Sequence, residues 1–567
     1  MKPRYKHLAA ESEVLTLSEQ KSLKVVIAQT NARVGAVADN VERITAQIDQ
    51  ARLEDQANLM IFPELVISGY PPEDILLRDD FLALCDWGLK EVVAASKGVA
   101  VVVGVPARAA NGELENQAVV IQDGVILARY AKQHLPNYGV FDEARYFTAG
   151  NQPLVVDIDG LKLGVLIRED AWHHQTLQAT REAGADLICT LNASPYHCQK
   201  PQHRIDQMLR QAQDLDCAIV YVNLVGGQDE LVFDGHSFIA TPGGCVAHQP
   251  GFTQSLGWFE CDLEGQILAH GERATWDDDL AQIYQAIVCG ISDYVRKNGF
   301  SGVVLGLSGG IDSSLVLAMA ADAVGPENVL AVRLPSRYTS PISLEDAELQ
   351  CKALGVRCET ISIEPLFDGF CHALSDTFAG LADDVTEENL QARARGVILM
   401  AISNKFGGLL LTTGNKSELA VGYATLYGDM AGGFAPIKDV PKTRVYELAR
   451  YRNQLGKTAE PTLFAIPERV ITREPSAELR ADQRDADSLP PYEILDQIIH
   501  AFVEADQSID EIIAQGLDEA TVRRVVGMIL TSEYKRRQAP PGVRISARAF
   551  GRDRRYPISS GFRPDRG

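Results

Sequence analysis

At 567 residues the chain is too long for one ordinary core, and a scale of roughly 100 to 200 residues per domain predicts at least two units. Hydrophobic residues make up 46% and charged residues 23%, which excludes a disordered or fibrous class. With 54 basic and 76 acidic residues the net charge is −22, so no nucleic-acid partner is expected: the chain as a whole would repel a phosphate backbone.

The start, MKPRYKHLAAESEVLTLSEQ, mixes charges and lacks an apolar run of signal-peptide length. No later stretch holds about 18 uncharged apolar residues, so neither secretion nor a membrane partner is expected. Ten scattered cysteines, with no C-x-x-C and no Cys/His cluster at zinc spacing, predict reduced thiols in a cytoplasmic protein, with no disulfide and no structural metal. Residues 1–22 read as an N-terminal extension. From near Lys24, KVVIAQTNARVGAVADN predicts a strand, a loop and the start of a helix. Short apolar runs follow: LMIFPEL, VAVVVGVP, NQAVVIQDGVILARY, LKLGVLI, ADLICTLNAS, CAIVYVNLVGG and HSFIATPGG. Strand-like WFECDLEG then gives way to a long amphipathic helix pattern, which puts a domain boundary near residue 275, between units at 23–275 and 276–567. In the second unit GVVLGLSGGIDSSLVLAMAADAVG reads as strand, Gly-rich turn and helix, and NVLAVRLPS as the next strand, as in a doubly wound parallel sheet.

The turn Ser308-Gly309-Gly310-Ile311-Asp312-Ser313-Ser314 lies directly after an apolar strand and directly before a helix. Glycines let the backbone approach an anion, the helix N-terminus offers unpaired N–H groups, and the serine hydroxyls add donors, so the segment suits pyrophosphate. Asp312 alone would repel phosphate and therefore suggests a bridging Mg²⁺. The competing reading is a Gly-rich turn with a serine cap. The SGG-x-DS pattern resembles the PP-loop of the ATP pyrophosphatase superfamily and lacks the lysine of the G-x-x-x-x-G-K-[ST] loop.

Further segments stand in order: Leu334 to Tyr338, Thr386 to Arg395, Thr412 to Glu418, Gly422 to Asp429, Lys438 to Val440 and Glu533 to Gln538. Together they closely resemble the NAD synthetases over most of residues 276–567. The resemblance implies that Gly306, Leu307, Ser308, Gly309, Gly310, Ile311, Asp312, Ser313 and Ser314 hold ATP phosphates. It further implies that Thr413 contacts ATP and that Asp312 and Glu418 bind Mg²⁺. It assigns Asn389, Glu418 and Lys535 to the deamido-NAD side, with Arg393, Asp429 and Lys438 as further candidates. Helix capping would otherwise account for Asn389 and Thr413, and surface ion pairing for Arg393, Lys438 and Lys535. The implied chemistry is ATP-dependent amidation of deamido-NAD to NAD: the carboxylate attacks the α-phosphorus, an adenylate forms with release of pyrophosphate, and ammonia displaces AMP.

Residues 24 to about 270 resemble the carbon-nitrogen hydrolase, or nitrilase, superfamily, which implies an αββα sandwich with a Glu, a Lys and a Cys. Glu64 in Phe62-Pro63-Glu64-Leu65 matches the general base, Lys132 in AKQHLPNYGVFDEARYF the oxyanion-stabilising lysine, and Glu143 a supporting carboxylate. Tyr138, Ser194 and Lys200 match glutamine-side positions of glutaminases fused to NAD synthetases. Where the family pattern G-x-x-I-C-E-D-x-W has its cysteine, this chain reads Gly164 to Trp172 with Arg168 in that place. A guanidinium stays protonated and cannot attack an amide. Loss of such a nucleophile costs on the order of 10⁶ in rate, so glutamine hydrolysis is expected to be abolished or nearly so, and free ammonia to be required. Arg168 is either a lesion in a glutaminase or the mark of a domain that now serves as scaffold or regulator. An ion pair from Arg168 to Glu64 or Glu143 is expected, because a buried unpaired guanidinium is costly.

A tRNA-modifying PP-loop enzyme would also adenylate an oxygen, but the acidic charge and missing C-x-x-C weigh against it. A silent assembly protein would explain only the first unit. By resemblance alone, a homo-oligomer is expected.

Overall fold

The computed structural model describes residues 21–271, 273–481 and 483–562. Most of the 1–22 extension lies outside these residues. Two large sheets and a two-stranded antiparallel ribbon, Val225–Gln228 with Leu231–Asp234, build the first half. The seven-stranded one runs, from edge to edge, Ile267–His270, Ser255–Asp262, Ser22–Gln29, Leu59–Ile61, Ala100–Arg108, Leu114–Gln122, Val125–Ala131. The six-stranded one runs Gly244–His248, Phe238–Thr241, Ala218–Asn223, Leu187–Asn192, Leu161–Ile167, Val155–Ile158.

The strand Ser22–Gln29 shows why the central runs are apolar without alternation. Val25 and Ile27 enter the core between the sheets, while Val26 and Ala28 enter the core under the helices Val37–Leu53 and Asp79–Ala95. Side chains alternate faces with period two, and both faces are covered. Helices His174–Glu182 and Lys200–Leu215 cover the other sheet, Leu177, Ile205, Met208 and Ala212 packing on it. The result is an αββα sandwich. The run NQAVVIQDGVILARY is not one strand but a hairpin: Asp123 and Gly124 have φ of +52° and +79°, and the chain reverses there. Asp-Gly supplies this geometry at little steric cost.

In the second half a parallel four-stranded sheet has the order Arg357–Thr360, Val329–Arg333, Val303–Gly306, Leu409–Leu411. The strand order reverses beside Val303–Gly306, which opens a crevice at the strand carboxyl ends. Helix Ile311–Val324 leaves this point and is buried on nearly every side, with Asp279–Lys297 and Lys442–Gln454 packed on it. Helices from Tyr492–Ile499 to Glu533–Arg536 form a further cluster over Ala420 and Val421.

The halves share a core. Tyr196 and Val232 of the first pack with Ile283, Ile287, Val543 and Ile545, and the backbone of Cys198 donates to Ile545 O across 2.9 Å. Among the described residues no helix is long and apolar enough to cross a membrane, and all ten cysteines are free.

Candidate active sites

Strand ends and turns of the first sandwich bring the expected acid–base residues together. Glu64 follows Leu59–Ile61 and is fully buried. Its Oε1 accepts from Lys132 Nζ at 2.7 Å and Asn116 Nδ2 at 2.8 Å, and its Oε2 from the Ala193 N–H at 3.0 Å. Lys132 also donates to both Glu143 oxygens, at 2.9 and 2.7 Å, and Tyr70 donates to Glu143 Oε1 at 2.8 Å. Burial works against the Lys132 charge, but Glu143 and Glu64 overcome it and hold the ammonium above its ordinary range. Burial also pushes Glu143 up, with Lys132 pulling the other way.

Arg168 opens the turn Arg168–Trp172 after strand Leu161–Ile167, with φ of +37°. Such backbone is costly for a residue with a Cβ and fixes the direction in which the side chain leaves the strand. The expected pair with Glu64 does not form, because Lys132, Asn116 and Ala193 already occupy that carboxylate. The expected ion pair forms with Glu143 instead, its Oε1 3.8 Å from Arg168 Nη1 and so beyond hydrogen-bond distance, and Glu169 Oε2 lies 3.8 Å from Nη2. The guanidinium also lies over the Phe141 ring, its Cζ 3.9 Å from the centroid. Arg168 Nε and Nη1 are buried with no hydrogen-bond acceptor. Tyr138 is exposed and donates to Glu169 Oε1 at 2.9 Å. Ser194 is buried with its Oγ unpartnered, and Lys200 is half-buried with Nζ 6.0 Å from the Phe141 ring. Sequence reasoning did not single out Tyr70, Asn116, Phe141 or Asp170. Asp170 holds the neighbouring loop, accepting from the His134 N–H at 2.7 Å and from Tyr130 OH at 2.8 Å.

The second site is a cavity of about 290 Å³ at the crevice of the parallel sheet. Gly306, Leu307, Ser308, Gly310, Ile311, Asp312, Ser313, Thr413, Glu418 and Asp429 line it, and Gly309 and Ser314 belong to the same turn. Gly309 has φ of +79°, and a Cβ there would stand 2.2 Å from Ser343 O, so only glycine fits. Ser308 Oγ accepts from the Gly310 N–H at 3.1 Å and lies 3.0 Å from Ser313 Oγ. Asp312 Oδ1 accepts from Asn415 at 2.9 Å; Lys442 Nζ donates to Asp312 Oδ2 at 2.6 Å and to Glu418 Oε1 at 3.1 Å. Burial pushes Glu418 up to about 7, with Lys442 pulling down and Asp312 pushing up. Two carboxylates that share one ammonium face a common point, so hard oxygen donors for a divalent cation are present there.

Asn389, Arg393 and Lys535 are arranged differently: they support the loop that ends in Asp429. Asn389 Oδ1 accepts from Thr425 Oγ1 at 2.7 Å, Arg393 Nε donates to Leu426 O at 3.3 Å, and Lys535 Nζ donates to Gly422 O and Ala424 O, each at 2.7 Å. Lys438 stands apart from the cavity at the sheet's crevice. It donates to Pro540 O at 2.7 Å and lines a small cavity with Glu230 and Arg544 at the junction of the two halves. Lys442 was missed, although it lies four residues beyond Lys438 in KDVPKT; its contacts show only when helix Lys442–Gln454 is seen to meet the 306–314 loop.

A sandwich of amide-hydrolase type joined to a parallel sheet with an SGG-x-DS loop at its switch point defines a two-site carbon–nitrogen ligase. The carbon-nitrogen hydrolase model matches residues 24–266 and the NAD synthase model residues 283–539. Glutamine-dependent NAD(+) synthetases from Acinetobacter baylyi and Xanthomonas campestris are each 50% identical, over 96% of this chain and all of the first relative and 95% and 98% for the second. The Acinetobacter baumannii synthetase, solved in complex with ADP, superposes with a TM-score of 0.77 at 46% identity, covering 95% of this chain and 99% of that one. A Cytophaga hutchinsonii synthetase shares the fold, with a TM-score of 0.81 at 23% identity, covering 95% and 98%. The chain belongs to the glutamine-dependent NAD(+) synthetases.

Proposed function

We propose that this chain amidates deamido-NAD to NAD through an adenylate, releasing AMP and pyrophosphate, with free ammonia as the nitrogen source that its own first domain no longer supplies efficiently. The observation that carries the synthetase part is the cavity at the sheet's switch point, with the 306–314 loop on one wall and Asp312, Glu418 and Lys442 converging on one point. The loop N–H groups and serine hydroxyls receive the phosphates and orient the α-phosphorus toward the attacking carboxylate. Lys442 offers a positive charge where charge develops on the leaving pyrophosphate. Asp312 and Glu418 would hold Mg²⁺, which when bound supplies further charge neutralisation at the phosphates. Asp429, with Asn389, Arg393 and Lys535 behind its loop, is assigned to the deamido-NAD side.

In the first domain Glu64 and Lys132 retain the base and the oxyanion donor of an amidase, while Arg168 stands at the nucleophile's position. Tyr138, Ser194 and Lys200 remain assigned to the glutamine side. A reduced-thiol, cytoplasmic setting fits the free cysteines. Assembly into a homo-oligomer is part of the same reading, with exposed Val397, Met400 and Tyr427, which line one groove, as the apolar face to test.

The test is NAD formation from deamido-NAD, ATP and MgCl₂ with ammonium chloride or glutamine, for the parent and Arg168→Cys. Synthesis with ammonium, little or none with glutamine, and gained glutamine use in the variant are expected. Efficient glutamine use by the parent would overturn the reading of Arg168, and no NAD from either source would overturn the substrate.

A further inference from the structure

Two cysteines meet at the edge of the second sheet. Helix Pro341–Leu354 ends at Gly355, whose φ of +73° turns the chain back, and the Val356 N–H donates to Cys351 O at 2.9 Å. Strand Arg357–Thr360 follows at once and pairs with Val329–Arg333 as the outermost strand. In that pairing Cys358 lies opposite Ala331, and laterally paired residues share a face of the sheet. Ala331 and Cys351 belong to one core, with Cys358 packed against it, whereas Val332 enters a different core on the other face. The register therefore turns Cys358 toward Cys351, and the Cys351 thiol donates to the Cys358 sulfur. That bond lowers the Cys358 pKa against the pull of burial, with the Arg333 charge helping, and together with burial it raises Cys351. Arg333 stands on the same face two residues beyond Ala331, and its buried Nε has no acceptor among the described residues. Cys358 is half-buried at the sheet edge and Cys351 is buried beneath it.

We infer that Cys351 and Cys358 form a reversible disulfide in the presence of a peroxide, and that this bond weakens ATP binding at the second site. The Cys358 thiolate attacks one oxygen of hydrogen peroxide; the O–O bond breaks, and the departing hydroxide takes up the proton that Cys358 released. The Cys351 sulfur then attacks the sulfenic sulfur of Cys358; the S–S bond forms, the S–O bond breaks, and the Cys351 proton leaves with the hydroxyl as water. The two sulfurs lose two electrons in all, and the peroxide becomes two waters. In cytosol such bonds are transient and serve as sensors. The same helix touches the 306–314 loop. Gln350, adjacent to Cys351, donates to Ser314 O at 2.8 Å, and Ser343 O fills the space beside Gly309. Covalent bonding draws the sulfurs closer than hydrogen-bond contact, and in a close-packed interior the shift of Cys351 passes to Gln350 and the loop. The inference rests on the reading of this loop as the ATP phosphate site.

The test treats the full chain with hydrogen peroxide and maps cross-linked peptides by mass spectrometry of a non-reduced digest. ATP binding with MgCl₂ is measured by calorimetric titration before oxidation, after it, and after dithiothreitol, for the parent, Cys358→Ser and Cys351→Ala. A peptide joining Cys351 to Cys358 is expected, with the Kd for ATP raised about fivefold or more and restored by dithiothreitol. Both variants are expected to bind ATP as the reduced parent does and to keep that affinity in peroxide. No joined peptide, a joined peptide with unchanged Kd, or an equal loss of affinity in Cys358→Ser would overturn the inference. If the reduced parent makes no NAD while the bond forms and weakens ATP binding, the amidation reading falls and this inference stands. If the reduced parent makes NAD and the bond does not form, the reverse holds.

Discussion

Lys442 donates to Asp312 across 2.6 Å, although the two stand 130 residues apart in the chain, and the same ammonium reaches Glu418 at 3.1 Å. Burial opposes the Lys442 charge, yet Asp312 and Glu418 hold its pKa above the ordinary lysine value. The helix Lys442–Gln454 thereby pins the 306–314 loop to the segment Lys416–Val421.

Replacing Lys442 by Met leaves two carboxylates facing each other with no cation. Breaking a buried pair in this way costs about 3–5 kcal/mol. The variant is expected to melt well below the parent in EDTA, to recover more of the difference when MgCl₂ is added, and to lose ammonium-dependent NAD formation. An unchanged midpoint in EDTA would show that the pair does not hold the loop.

Gly309→Ala places a Cβ against Ser343 O in a left-handed backbone. Strain of about 1–3 kcal/mol is relieved by moving the loop, so the KM for ATP is expected to rise about tenfold or more. The circular dichroism spectrum should match the parent's. A variant with the parent's KM would place the phosphates elsewhere.

Asp170 provides a pH signature. Burial raises its pKa from an ordinary 3.8 to about 6, against hydrogen bonds from the His134 N–H and Tyr130 that favour the charged form. The folded state then binds the proton more tightly than the unfolded chain does, so this contribution is fully present below about pH 3.8 and is lost as pH rises through about 6. At neutral pH the loss amounts to roughly 3 kcal/mol, at about 1.4 per pKa unit. Asp170→Asn should flatten the pH dependence of unfolding free energy between pH 4 and 6; urea titrations with the parent's slope would count against it.

Arg544 joins the halves: its Nε donates to Asp553 Oδ2 at 2.6 Å, its Nη1 reaches Tyr196 O at 3.5 Å, and its backbone N–H donates to Glu230 O at 2.9 Å. Arg544→Ala strands the buried Asp553 carboxylate, and a loss of about 3–5 kcal/mol is expected. Denaturation followed by intrinsic fluorescence checks the size, and limited proteolysis checks whether the 540s loosen first.

What was legible in the sequence was mostly local. The strand, turn and helix around Ser308 to Ser314 depend on neighbouring residues, and the apolar runs predict strands wherever both faces are buried. The Asp123-Gly124 reversal was equally local but was passed over inside an apolar run. Glu64, Lys132 and Glu143 were placed together by resemblance, since no periodicity relates residues 68 and 11 apart. Long-range pairing was not legible. Lys442 meets Asp312 only through the packing of two helices, Lys438 turned out to face the junction, and the stacking of Arg168 on Phe141 depends on Glu64 being filled by other donors.

The shared core around Tyr196 also governs the order in which the chain can finish folding. Val543 and Ile545 leave the ribosome more than 300 residues after Val232, yet they cover Tyr196 and Val232 of the opening half. Until they emerge, Ile283 and Ile287 cover Tyr196 and Val232 without the two residues that complete this core. A stop codon near residue 540 would therefore thin the cover over Tyr196 and Val232, more than 300 residues upstream.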